Sequence, residues 1–182
     1  MFSEKIKNNK QKGFTLVEMI IVVVIIGILA GITITVINIP LQQRRSRDAR
    51  RIADLKMVQS ALELYFSDNR SYPNVISFSR VNLALNDSLV IGGYISDLPK
   101  DPRDSAGTPS GVTCGGGGLG GMYVYRYGSG STSGTKYVLM ATMETIDRAS
   151  ESLCRNIRNC KPDSGIDCGS VGDYCYCVQN PM

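Results

Sequence analysis

Histidine is absent from all 182 residues. Its absence removes the commonest general base, the commonest metal ligand and every Ser–His or Cys–His nucleophile pair. Tryptophan is absent as well. No two cysteines stand in a Cys-x-x-Cys spacing, so a zinc site has neither of its ordinary ligand patterns. No acid pair, nucleophile–base pair or metal cluster stands out, which makes an exported enzyme the least favoured function class. An excess of positive charge is also missing once the first thirteen residues are set aside. Lys5, Lys7, Lys10 and Lys12 lie there against Glu4, and the remainder of the chain is nearly balanced. The basicity belongs to a targeting segment, and no nucleic acid is assigned as a partner.

Charge is almost missing from one long stretch. Phe14 to Ile39 reads FTLVEMIIVVVIIGILAGITITVINI and holds a single charge, Glu18. As a helix rising about 1.5 Å per residue, it is long enough for a bilayer core of about 30 Å. A carboxylate in such a run costs about 2.5–3.5 kcal/mol on insertion, so it is expected to have a partner or a task. Glu18 also sits close to Lys12-Gly13, where a cut would create a new amine. A secretory signal would be cleaved after the apolar run, whereas the plausible cut here precedes it. Gly27 and Gly31 form a G-x-x-x-G, read either as a site where helices approach closely or as the small residues common in any membrane helix.

Beyond Pro40 the pattern turns amphipathic. Ile52, Leu55, Val58, Leu62, Tyr65 and Phe66 recur at helical spacing between Asp54, Lys56, Gln59, Glu63 and Ser67. The pattern predicts a helix from Phe14 to about Asp68, bent or broken near Pro40. Asp68-Asn69-Arg70-Ser71-Tyr72-Pro73 supplies its end. Arg44, Arg45, Arg47, Arg50 and Arg51 cluster where the apolar run stops. A solvated face is the first reading of this cluster, contact with anionic lipid or with acids of neighbouring subunits the second, nucleic acid the last.

Six cysteines occur, Cys114, Cys154, Cys160, Cys168, Cys175 and Cys177, five of them in a Gly- and Asp-rich C-terminal segment. An even count in a small exported domain reads as a disulfide framework in an oxidising compartment. Connectivity stays open, except that Cys175 and Cys177 are expected to bond to different partners, because the loop between them is very tight.

Lys12-Gly13-Phe14-Thr15-Leu16-Val17-Glu18, with the apolar IVVVIIGILA of Ile21 to Ala30, resembles the processing site of type IV pilins and type II secretion pseudopilins. ALELYFSDNRSYP (Ala61 to Pro73) and YISDLPKDP (Tyr94 to Pro102) resemble the major, G-type pseudopilins. The resemblance implies cleavage after Gly13 by a prepilin peptidase and N-methylation of Phe14. It also implies that Glu18 pairs with the amine of an adjacent subunit and sets axial register. Residues 1–13 are then a cleaved leader and 14–39 the membrane and filament-core helix. Residues 40–69 form an amphipathic helix, and 70–182 a head with a Cys-rich tail. The implied partners are identical or related subunits, the membrane and an inner-membrane assembly machinery. The implied location is the inner membrane, with the head exported and later part of a filament. The chain departs from many members in carrying Thr35 where they have proline. G-type pseudopilins bind calcium near their C-termini, so Asp163, Asp167 and Asp173 are candidate ligands; no other cofactor is implied. A membrane-tethered adhesin is the alternative function.

The expected fold is α+β, a long helix packed on a small antiparallel sheet. Met122 to Tyr127 and Lys136 to Met143 read as strands joined by a Gly/Ser/Thr hairpin loop, 128–134. Asn82 to Leu89 reads as a short helix. The glycines of 115–121 read as an exposed loop, since they lack the Lys-Ser/Thr of a phosphate cradle.

Overall fold

A continuous apolar run with no β-strand alternation folds as helix α1, Leu16–Val36. Its described large side chains, from Phe14 to Leu29, are exposed on every side. The computed structural model describes residues 13–36, 39–75, 77–104, 106–107, 114, 122–130, 134–160, 166, 168 and 173–181. Among the described residues no helix is long and apolar enough to cross a membrane. The side chains of 32–38, within the expected 14–39 span, lie outside them. The chain divides into two units, one ending at Ile39 and one beginning at Pro40.

The second unit begins with α2, Ile39–Asn69. Pro40 occupies its first turn, where a missing N–H leaves no bond unmade and the fixed φ suits a helix. Residues 37 and 38, where the expected bend or break would fall, lie outside the described residues. The predicted stripe is buried, Leu55, Val58 and Leu62 fully and Ile52, Tyr65 and Phe66 in part, and Ala61, outside the predicted set, is buried beside it. Arg70 closes the helix with φ 57°, its N–H donating to the Phe66 carbonyl at 2.8 Å.

Four antiparallel strands follow in the order β1 (Ser79–Arg80), β2 (Arg126–Gly128), β3 (Val138–Thr142) and β4 (Cys175–Gln179). The two predicted strands exist but are shorter, because 123–125 is extended without ladder partners. Of the hairpin loop, residues 131–133 lie outside the described residues. Gly134 has φ +71°, and a Cβ there would stand 2.7 Å from the Tyr72 carbonyl oxygen. The short helix is displaced slightly, to α3 (Val81–Ala84) and a π-turn, Asn86–Ile91.

Strand alternation gives the sheet two dissimilar faces. Tyr127, Leu139, Ala141, Tyr176 and Val178 pack in the core that holds the α2 stripe. Val138, Met140, Cys175 and Cys177 form a second core with Phe78, Cys114, Cys154, Ile166 and Cys168. The outer edge of β4 is engaged. Ser152 Oγ donates to the Cys177 carbonyl, Leu153 bridges Tyr176, and Gln59 Nε2 donates to the Gln179 carbonyl.

Candidate functional site

The N-terminus of α1 is built by two residues three positions apart, Thr15 and Glu18. Thr15 N–H donates to Glu18 Oε2 at 2.8 Å, and Thr15 Oγ1 donates to the same oxygen at 2.9 Å. In return the Glu18 N–H donates to Thr15 Oγ1 at 3.2 Å. This reciprocal pair is a capping box, which satisfies amides a helix start leaves unpaired. The Thr-x-x-Glu spacing ahead of an apolar run carried that signal, and sequence reasoning that looked only for an intermolecular partner passed over it. Glu18 therefore sets where the helix begins. Its charge sits where the helix dipole is positive, which favours it. Among the described residues no hydrogen bond or ion pair reaches Oε1. Phe14 is 79% exposed, and the Cβ positions of Gly13, Gly27 and Gly31 face open space.

The arginine cluster behaves differently from its first reading. Arg51 is fully buried, its fork meeting Asp101 through Nε at 2.7 Å and Nη2 at 2.8 Å. Its Nη1 donates to Asp48 at 2.7 Å and Glu144 at 3.0 Å. Arg47 binds Glu144 through two bonds of 2.7 Å. Asp48, also fully buried, accepts from the backbone N–H groups of Glu144 and Thr145 and from Thr145 Oγ1. Tyr123 lies under the guanidinium groups of Arg51 and Arg103, at 4.7 and 4.8 Å. Arg45 pairs with Asp147 at 3.1 Å at the surface. Two of the five arginines thus belong to a clamp joining the start of α2 to the Asp101 turn and the segment after β3. A solvated face describes Arg44, Arg45 and Arg50, all of which are exposed, Arg50 lying 3.9 Å from Asp54. The correction has a plain cause: the acids that bury Arg51 lie 50 and 93 residues away in sequence.

Glu144 gives this clamp a pH signature. Burial alone would raise its pKa, but the Arg47 and Arg51 guanidiniums outweigh burial and hold it at about 2, below its ordinary 4.5. A depressed folded-state pKa contributes stability above the unfolded value that is lost as pH falls toward the folded one. The head is expected to lose stability between about pH 4.5 and pH 2. Glu144→Gln is expected to flatten that window in a denaturation midpoint measured against pH. An unchanged slope would refute the assignment.

All six cysteines are bonded, as Cys114–Cys175, Cys154–Cys177 and Cys160–Cys168. Cys175 and Cys177 do take different partners. Of the candidate calcium ligands, Asp163 and Asp167 lie outside the described residues, as do glycines 115–121. Asp173 pairs with Arg155 at 2.7 Å. Among the described residues no cluster of acids and cysteines could hold a metal ion.

Comparison with known proteins places these features. The family described as "Prokaryotic N-terminal methylation motif" matches residues 8–34. The type II secretion system core protein G of Vibrio cholerae serotype O1 is 36% identical over 101 residues, which span 53% of this chain and 68% of the relative. The protein of the same name from Escherichia coli K12 is 33% identical over 102 residues, 52% of this chain and 68% of the relative. That of Aeromonas hydrophila is 30% identical over 104 residues, 53% and 70%. No solved structure matches the chain.

Proposed function

The chain belongs to the family of type II secretion system core protein G, and from this we propose that it is a membrane-anchored pseudopilin. In this reading it is cut after Gly13 by a prepilin peptidase, methylated on the new Phe14 amine and polymerised with identical or related subunits. The observation that carries the reading is α1 itself, a helix apolar on all faces, side chains exposed, with one acid at its start. A helix hydrophobic all round belongs inside a membrane or a larger assembly. Residues 14–39 would cross the inner membrane first and then line the filament core, while the head stays on the exported side. In the filament, the Glu18 carboxylate would meet the Phe14 amine of an adjacent subunit. Two charges removed from water cost less as a pair than alone, so the meeting favours one axial register over its neighbours.

The capping box complicates a simple alanine test, because Glu18→Ala removes both the cap and the charge. Glu18→Gln keeps a side chain that completes a capping box and loses only the charge. Thr15→Ala keeps the charge and loses the cap hydroxyl, at a cost of about 1 kcal/mol of helix stability. Both Glu18 variants are expected to insert into the membrane and fail to enter filaments, while Thr15→Ala still assembles. Filaments formed normally by Glu18→Gln would leave Glu18 with the cap alone. Mass spectrometry of the mature chain is expected to find a methylated Phe14 at its N-terminus. A chain beginning at Met1 would overturn the processing reading.

A further inference from the structure

Numbered along the chain, the first cysteine bonds to the fifth, the second to the sixth and the third to the fourth. The first two bonds interleave, so neither can be reached by pairing neighbours. Chain statistics favour other products. Cys175 lies 61 residues from its native partner Cys114 but only seven from Cys168. Loop closure weights the shorter loop by about 25-fold. Cys154 lies 23 residues from Cys177 but six from Cys160, a bias of about sevenfold toward the wrong partner. By the same weighting the native Cys160–Cys168 loop of eight residues is favoured within a factor of about 1.5, so the early products expected from an unfolded chain are Cys154–Cys160, Cys168–Cys175 and Cys160–Cys168 in comparable amounts. The two non-native bonds consume Cys160 and Cys168, which the native third bond needs.

Such products block the fold as well as the pairing. Cys114, Cys154, Cys168, Cys175 and Cys177 are each at most 2% exposed and form much of the second core. With 175 tied to 168, the cystine side of β4 cannot close on Cys114, and apolar surface stays in water.

We propose that a thiol–disulfide isomerase is a folding partner of the head, acting on the unfolded segment from Cys154 to Cys177 and setting the rate at which the native bonds form. Bond formation passes two electrons and two protons per cystine to an oxidised dithiol oxidoreductase. The rearrangement that follows is redox-neutral. The isomerase thiolate attacks one sulfur of a wrong cystine and the other sulfur leaves as a thiolate; that thiolate attacks the next cystine, and the different thiolate so released displaces the enzyme from the first sulfur. The partner is recognised by this chemistry and by exposed apolar chain. The proposal does not depend on the filament role, only on export to an oxidising compartment.

The full chain, reduced and unfolded, is to be diluted into detergent micelles with a glutathione redox buffer. Active protein disulfide isomerase is present in one series and the same enzyme with alkylated active-site thiols in another. Samples are trapped by alkylation, and linkages are mapped by non-reducing digestion. With inactive enzyme, Cys154–Cys160 and Cys168–Cys175 are expected to appear early beside Cys160–Cys168. The native trio is expected to form at least about tenfold faster with active enzyme. Cys160→Ala combined with Cys168→Ala removes both short-range competing thiols, and the two interleaved bonds are then expected to depend less on the isomerase. The two interleaved native linkages appearing first, or at equal rates with active and alkylated enzyme, would overturn the proposal. So would a double variant as dependent on the isomerase as the parent chain.

Discussion

Arg51→Ala is expected to destabilise the head by roughly 3–5 kcal/mol, a large share of the roughly 5–15 kcal/mol that holds a domain folded. The guanidinium is wholly buried, and so is Asp48; Asp101 and Glu144 are nearly so. Removing the cation leaves Asp101 with no cation in bonding range among the described residues, and takes one of three paired guanidiniums from Glu144. The loss is therefore mostly the cost of stranding carboxylates rather than the worth of the ion pairs themselves. Arg51→Lys is expected to recover little, since an ammonium cannot reproduce the two-pronged contact with Asp101. The check is a chemical-denaturation midpoint of the mature chain in detergent at neutral pH. A shift worth less than about 1 kcal/mol would show that the clamp is dispensable.

The second large effect concerns Cys114–Cys175, which closes a loop of 61 residues. Replacing both cysteines with alanine is expected to cost about 4 kcal/mol on loop-entropy grounds, against about 2.5 kcal/mol for Cys160 and Cys168, eight residues apart. Alanine rather than serine is the right replacement, because both sulfurs lie in the apolar second core and a hydroxyl there would want a partner. Thermal or denaturant unfolding of the two double variants side by side checks the ranking. Equal losses, or a larger one for the short loop, would contradict it.

Where the sequence was legible, a local regularity carried the information. The α2 stripe follows from spacing alone, as do the strand-forming runs around Tyr127 and Leu139. The end of α2 is written in Asn69, Arg70 and Pro73, within one turn of each other. Oxidation of the cysteines follows from their number and from the poverty of their surroundings. What stayed hidden depends on distant partners. Arg51 shares its charge and its helix with four other arginines, and only Asp101 and Glu144 set it apart. Strand β4 reads Cys-Tyr-Cys-Val-Gln, and its alternation was masked because the cysteines were counted as linkers rather than as inward-facing residues of a strand. Thr15 is a different matter. Its partner is three residues away, and the pattern was open to inspection.

The engaged rim of β4 has a consequence for crowding. Its outward carbonyls at Cys177 and Gln179 are already bonded within the head, and the strand at the opposite rim, β1, is two residues long. Among the described residues, neither side offers a docking ladder for a strand of another molecule. In the filament proposed above, heads held at high local density would therefore not exchange strands along these two rims.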